Sequence, residues 1–214
     1  MAYPEARALT LVLVRHGETE GQSSIRYHGR TDVALSDLGR TQMKAARREI
    51  ESRFGESAFA HRFSSPLIRA LEGAKIVVGG DAPILTLEEF TEVHFGLFEG
   101  LTAEEIRERH PIEFEKWNAE RLAPAYTYPE GESRTAFAER VERGLERMLQ
   151  VIDAQKRSAS EHALLVAHRG VIRALVRALT GAEPVVDLGS IHILAYQGRW
   201  HPHLLDFTAH LDEL

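Results

Sequence analysis

Hydrophobic residues in this chain come in two kinds of block, short continuous runs and longer spaced series. Leu9 to Val14 (LTLVLV) is a run of the first kind, the pattern of a strand buried on both faces. It stops at Arg15-His16-Gly17-Glu18-Thr19. Ser36 then stands where an N-cap belongs, and Leu38, Ala45, Ala46 and Ile50 fall on one face of a helix running to about Phe54. His61 to Ser64 suits another short strand. Ser65-Pro66 reads as a cap residue with proline at the first helical position, opening a helix from Leu67 to Val78 that ends at Gly79-Gly80.

Ile84 to Leu87 suggests a further strand. Thr102-Ala-Glu-Glu105 has the form of a capping box, and Pro111 separates that short helix from the next. Pro124 to Glu132 is a loop rich in Pro, Tyr and Gly. Phe137, Val141, Leu145, Met148, Leu149 and Ile152 recur at spacings of three and four, the clearest helix in the chain. Ala163 to Ala167 (ALLVA) repeats the buried-strand pattern and breaks at His168-Arg169-Gly170. A helix from Val171 to Leu179 ends at Gly181, and Ile191 to Tyr196 with Trp200 to Phe207 reads as a closing hairpin.

Strands alternating with helices predict an α/β protein, a three-layer α/β/α sandwich with a mainly parallel central sheet. The 214 residues fit a single domain spanning 1–214, with about 88–132 forming a small helical and loop cap. The chain carries 26 basic and 32 acidic residues, net −6, which argues against a nucleic-acid partner. It has no cysteine, so thiolate chemistry, disulfides and Cys-based zinc sites are excluded. No signal-peptide pattern opens the chain, and no apolar run approaches the ~18 residues of a membrane span. A soluble cytoplasmic protein, monomer or homodimer, is the expectation.

Chemistry gathers where strands end. In open α/β sheets ligands bind beyond the carboxyl ends of the strands, and two runs here end in histidine: VLVRH at His16 and LLVAH at His168. A third strand-to-helix junction puts Arg69 in or near a helix's first turn, where unpaired N–H groups favour an anion. Arg15, Arg69 and the two histidines thus form a metal-independent, cofactor-free anion pocket. Phosphate is the expected guest, because arginine forks match its oxygens.

The motifs LVRHGETE, GRTDVALSDLGRTQ, SSPLIRA, EVHFGLFEG, PEGES and VAHRG, in that order, resemble those of the histidine phosphatase superfamily, in its phosphoglycerate mutase-like branch. The resemblance spans nearly the whole chain. It implies that His16 is the nucleophile that accepts the phosphoryl group, that Arg15, Arg69 and His168 bind phosphate oxygens, and that Glu92 protonates the leaving group and then activates water. Neighbouring arginines suit such a nucleophile, since they disfavour imidazolium and neutralise phosphate. Glu92 must be protonated in the first step, which burial or nearby carboxylates would promote.

Two positions depart from the family pattern. Gln22 stands where a phosphate-binding asparagine is common, and His168-Arg169-Gly170 replaces a frequent His-Gly-Gly, making Arg169 either an extra anion contact or a solvent-facing residue. Valine at position 93 replaces the arginine of the mutase ERHYG block, which favours a phosphatase acting on small phosphorylated metabolites. The alternatives are a cofactor-dependent phosphoglycerate mutase and a phospholigand-binding regulator without turnover.

Blander readings compete with each assignment. Glu92 shares an acidic stretch with Glu88, Glu89 and Glu99, and Glu89 is its rival. His28 and Gly29, with Arg26 and Arg30, either line the pocket or form a surface loop. His201-Pro-His203 has same-face strand spacing but no carboxylate pattern that would make a metal site. Tyr126, Tyr128 and Phe90 are candidates for selecting an apolar leaving group.

Overall fold

A computed structural model describes residues 8–21, 25–56, 58–155, 160–212 and 214. Its strands are β1 (Ala8–Arg15), β2 (His61–Ser64), β3 (Leu85–Thr86), β4 (Ser160–Ala167), β5 (Ile191–Gln197) and β6 (Trp200–Phe207). They form one sheet in the order β3-β2-β4-β1-β5-β6. The ladders among β1, β4, β2 and β3 are parallel, whereas β5 and β6 add an antiparallel edge.

The continuous apolar run of β1 has a simple cause. Successive side chains point to opposite faces, and here both faces are covered. Leu9, Leu11 and Leu13 join a core with α5 (Arg134–Ala154) and α6 (Arg169–Thr180). Val12 and Val14 join a second core with α1 (Asp37–Phe54) and α2 (Ile68–Val78). This is the expected three-layer sandwich with a mainly parallel sheet. Each fully buried aliphatic side chain contributes roughly 1.5–3 kcal/mol.

Residues 88–132 carry two 3₁₀ turns, α3 (Ala103–Arg109) and α4 (Pro111–Glu120). The capping box at Thr102 and Glu105 is formed, and Pro111 occupies the first turn of α4. Aromatic rings hold this region together: Phe95 meets Tyr27 and Tyr128 edge-on at 5.2 and 5.0 Å, and Trp117 meets Phe98 at 6.4 Å.

Two local expectations are corrected. Leu38, placed on the buried face of α1, is half exposed, because the core face is made by Met43, Ala45, Ala46 and Ile50. Ser65 does not cap α2, whose N-cap is Leu67. The backbone at Ser65 still belongs to the sheet, with its N–H bonded to the Val166 carbonyl at 3.1 Å, so the helix begins later.

One close approach fixes where α1 begins. A Cβ on Gly17 would lie 2.5 Å from the Gly39 carbonyl oxygen, and one on Gly39 would lie 1.9 Å from that of Glu18. Only two glycines let the helix start rest against the loop after β1. The different positions of two leucines are testable by chemical denaturation. Leu165→Ala, in the fully buried core, is expected to cost about 2–5 kcal/mol, and Leu38→Ala less than about 0.5 kcal/mol.

Candidate active site

Adjacent parallel strands bring the two histidines together. Arg15 of β1 is in register with Ala167 of β4, and the His16 N–H donates to the Ala167 carbonyl at 3.1 Å. The chain then leaves both strands at the same edge, and the His16 and His168 rings meet at 5.1 Å between centroids.

The His16 ring has a defined orientation. Nδ1 lies 2.7 Å from the Gly17 carbonyl oxygen, a partner that can only accept, so Nδ1 carries the proton. Nε2 is left with its lone pair, and Arg69 donates to it through Nε at 3.3 Å. Burial, then Arg69 and Arg15, hold the His16 pKa well below the usual histidine range. The same causes, with His16 added, lower that of His168. Both rings are therefore neutral at physiological pH.

Arg69 is fully buried. Besides its bond to His16, it donates to the carbonyls of Thr31 at 2.7 Å, His28 at 3.1 Å and Gly29 at 2.7 Å. Four of its five N–H groups are thus occupied by protein. Gly29 does not present a side chain to the site. It must be glycine because a Cβ there would lie 2.1 Å from the Val93 carbonyl oxygen.

Arg15 donates through NH1 to the Val186 carbonyl at 3.0 Å, while its Nε has no partner among the described residues. Burial, then Arg169, lowers its pKa to about 10, so it remains a cation. At His168, Nε2 and the Ser65 hydroxyl are 2.8 Å apart. The Leu67 N–H also donates to that hydroxyl oxygen, and with the Ser65 hydrogen turned to Nε2 the His168 proton sits on Nδ1. That Nδ1 is also buried without a partner among the described residues. An unmet buried donor costs about 1–3 kcal/mol. The two here, beside His16, are what an anion with several acceptor oxygens would satisfy.

A cleft of about 580 Å³ opens over this centre, lined by Arg15, His16, Arg26, His28, Glu92 and Arg169, with Tyr27 and Phe95. Glu92 is buried, and its two carboxyl oxygens accept the N–H groups of Val93 and Gly170, each at 3.0 Å. Its rival Glu89 pairs with Arg147 at 3.2 Å and does not line the cleft. Arg169 reaches the cleft rim, where it donates to the Val186 carbonyl at 3.0 Å and meets Asp187 at 3.5 Å.

Other candidates fall elsewhere. Arg30 lies in a separate depression with Pro66 and Arg143. Phe90 and Tyr126 are buried and do not line the cleft, a role taken by Tyr27 and Phe95. Gln22 lies outside the described residues. His192 is buried against Ser190, 3.0 Å away.

Three positioning residues are not singled out by the sequence, although Glu99 and Glu132 fall within EVHFGLFEG and PEGES. Glu99 gathers the loop before α1, accepting from the N–H groups of Gly29, Arg30 and Thr31 and from that of Phe95. Arg140 of α5 donates to the carbonyls of Glu89 and Thr91 at 2.9 and 2.8 Å and is gripped at both ends by Glu132. Arg140 and Glu132 thereby hold the segment that carries Glu92. A helix arginine and a loop glutamate look like ordinary surface charges until the fold brings them together.

A sequence profile of the histidine phosphatase superfamily (branch 1) matches residues 11–201. The chain belongs to that superfamily. It is 30% identical over 210 residues to phosphoglycerate mutase-like protein 4 of Arabidopsis thaliana, covering 95% of this chain and 87% of the relative. It is 35% identical over 180 residues to a glucosyl-3-phosphoglycerate phosphatase of Mycolicibacterium vanbaalenii, covering 82% and 76%. The solved structure of the α-ribazole phosphatase from Shigella flexneri has the same fold, with a TM-score of 0.79 at 24% identity over 92% of this chain and 96% of that one.

The buried histidines make stability depend on pH. His16, His168 and His192 all have folded-state pKa values below the ordinary 6.5, His192 at about 4 through burial. Below pH 6.5 the unfolded chain takes up protons that the folded chain refuses, so the free energy of unfolding falls as pH falls. Denaturation between pH 7.5 and 5 should show this, and His16→Asn should remove up to about 1.4 kcal/mol per pH unit of the slope. A second expectation concerns the loop clamp. Glu99→Ala should lower kcat/KM by about 10²-fold in a phosphatase assay, because it releases the loop that holds Arg69.

Proposed function

We propose that this chain is a phosphomonoesterase that acts through phosphorylated His16 on small phosphorylated molecules. The observation that carries the reading is the state of His16. Its Nδ1 proton is tied to the Gly17 carbonyl, its Nε2 carries the lone pair, held by a hydrogen bond from Arg69 Nε, and it shares a cleft with one buried carboxyl group, Glu92.

The phosphate enters beside Arg15 and His168, whose unmet Nε–H and Nδ1–H donate to its oxygens. Arg69 Nε, which donates to Nε2 before phosphate binds, turns its N–H to an entering phosphate oxygen and frees the Nε2 lone pair. Nε2 attacks phosphorus, and the bond to the leaving oxygen breaks as Glu92 in its acid form gives that oxygen a proton. The two backbone N–H groups on Glu92 occupy one site on each carboxyl oxygen and leave another for this proton. Glu92, now a carboxylate, takes a proton from water. The resulting hydroxide displaces the phosphoryl group from Nε2, which releases inorganic phosphate and restores neutral imidazole. Residues 88–132 serve in this reading as a cap carrying the acid. A similarity to a glucosyl-3-phosphoglycerate phosphatase supports hydrolysis, as does valine at position 93 where the mutases resembled by the sequence have arginine.

The test is hydrolysis of 4-nitrophenyl phosphate in excess chelator. Wild type should turn over with full activity, and His16→Ala should lose about 10³-fold or more in kcat. Activity that survives the substitution would remove His16 as nucleophile. Transfer of the phosphoryl group to a phosphoglycerate acceptor in preference to water would instead make the protein a mutase.

A further inference from the structure

Beside the cleft lies a second cavity of about 300 Å³ that no step of the hydrolysis uses. Glu92, Phe95 and Arg169 line both cavities. That shared wall decides what the second cavity receives. With phosphorus at His16 and the leaving oxygen at Glu92, this lobe is one of the two spaces open to the rest of a leaving group.

The lobe is lined by both aromatic and cationic residues. Phe95, Tyr128 and Phe137 line it, and Phe95 and Tyr128 brace each other edge-on. Arg169, Arg173 and Arg177 line it as well and recur every fourth residue along α6, with Arg134 from the start of α5. Residues four apart on a helix lie above one another, so these guanidinium groups form a column leading away from the catalytic centre. Glu92 is the one acid among the described lining residues. From outside the lobe, Glu183 grips Arg177 with both carboxyl oxygens and reaches Arg173 only at 3.6 Å. Asp187 meets Arg169 at 3.5 Å. Arg173 is thus the central cation of the column and has the longest of these contacts.

We infer that the lobe is a leaving-group subsite for phosphomonoesters with an apolar body and a second anionic group, which Arg173 receives. This inference rests on the phosphatase reading and narrows its substrate class. The apolar body displaces water from the ring wall, and the second anion replaces the long contact between Arg173 and Glu183 with a charge-assisted pair. Carboxylate and phosphate-type groups have the same chemistry at this position, and the probes below separate them.

Wild type, Arg173→Gln and Arg143→Gln are compared on 4-carboxyphenyl phosphate, 4-(phosphonomethyl)phenyl phosphate and the neutral near-isostere 4-carbamoylphenyl phosphate. Arg143 lies in the separate depression beside Arg30 and controls for the loss of one positive charge. Wild type should prefer at least one anionic probe over the amide by about tenfold in kcat/KM, and the anion preferred identifies the group. Arg173→Gln should bring that ratio close to one, whereas Arg143→Gln should keep it. Hydrolysis of all three probes without an anionic preference overturns the subsite and leaves the phosphatase standing, as does a preference that survives in Arg173→Gln. Absence of turnover on every probe by protein that hydrolyses 4-nitrophenyl phosphate overturns the subsite alone, and absence of turnover on that substrate as well overturns both.

Discussion

The site is organised around a guanidinium group removed from water. Moving a charge into the interior costs several kcal/mol unless it is paired or fully hydrogen-bonded, and Arg69 meets that requirement with backbone carbonyls and with His16 itself. Three carbonyls of the loop before α1 converge on it, so the loop's path and the cation's position determine each other. Glu99 closes the arrangement from the other side by accepting the N–H groups of the same loop. The first consequence is chemical. A fixed positive charge against Nε2 keeps the imidazole neutral, the form in which it can attack phosphorus.

The second consequence is electrostatic contrast. The chain is acidic overall, at −6, yet the centre concentrates Arg15, Arg69 and Arg169 around two neutral histidines. The carboxyl group that enters this cationic centre, Glu92, is held there by Arg140 and by backbone N–H groups rather than by a direct ion pair. The clamp formed by Arg140 and Glu132 therefore sets geometry at a distance from the charge it serves.

Much of this could be read along the chain because strand burial and helix periodicity are local. The runs at Leu9–Val14 and Ala163–Ala167 announced strands covered on both faces, and a polar break after each marked where chemistry begins. His16, His168 and Glu92 stood out on those grounds together with motif order. The errors were local as well. Leu38 lies near enough to the helical stripe to be counted with it, but it is half exposed, and Met43, Ala45, Ala46 and Ile50 make the buried face of α1. Ser65 has a cap residue's chemistry, yet its backbone is claimed by β4 and its hydroxyl by His168.

What the sequence determined alone was the inventory of elements, the layered α/β class and the residue types available for phosphoryl chemistry, since each depends on neighbours within a few positions. Tertiary structure decided which of those residues meet. Only the pairing of β1 with β4 brings His16 to His168 across about 150 residues. Only the packing of α5 under residues 88–132 turns Arg140 and Glu132 into supports for Glu92. The column of arginines on α6 is written in the sequence at a spacing of four, but that it lines one cavity with aromatic rings and with Glu92 of the catalytic cleft depends on long-range contacts. No local pattern encodes them, because the energy that selects them comes from burying both faces of one sheet at once.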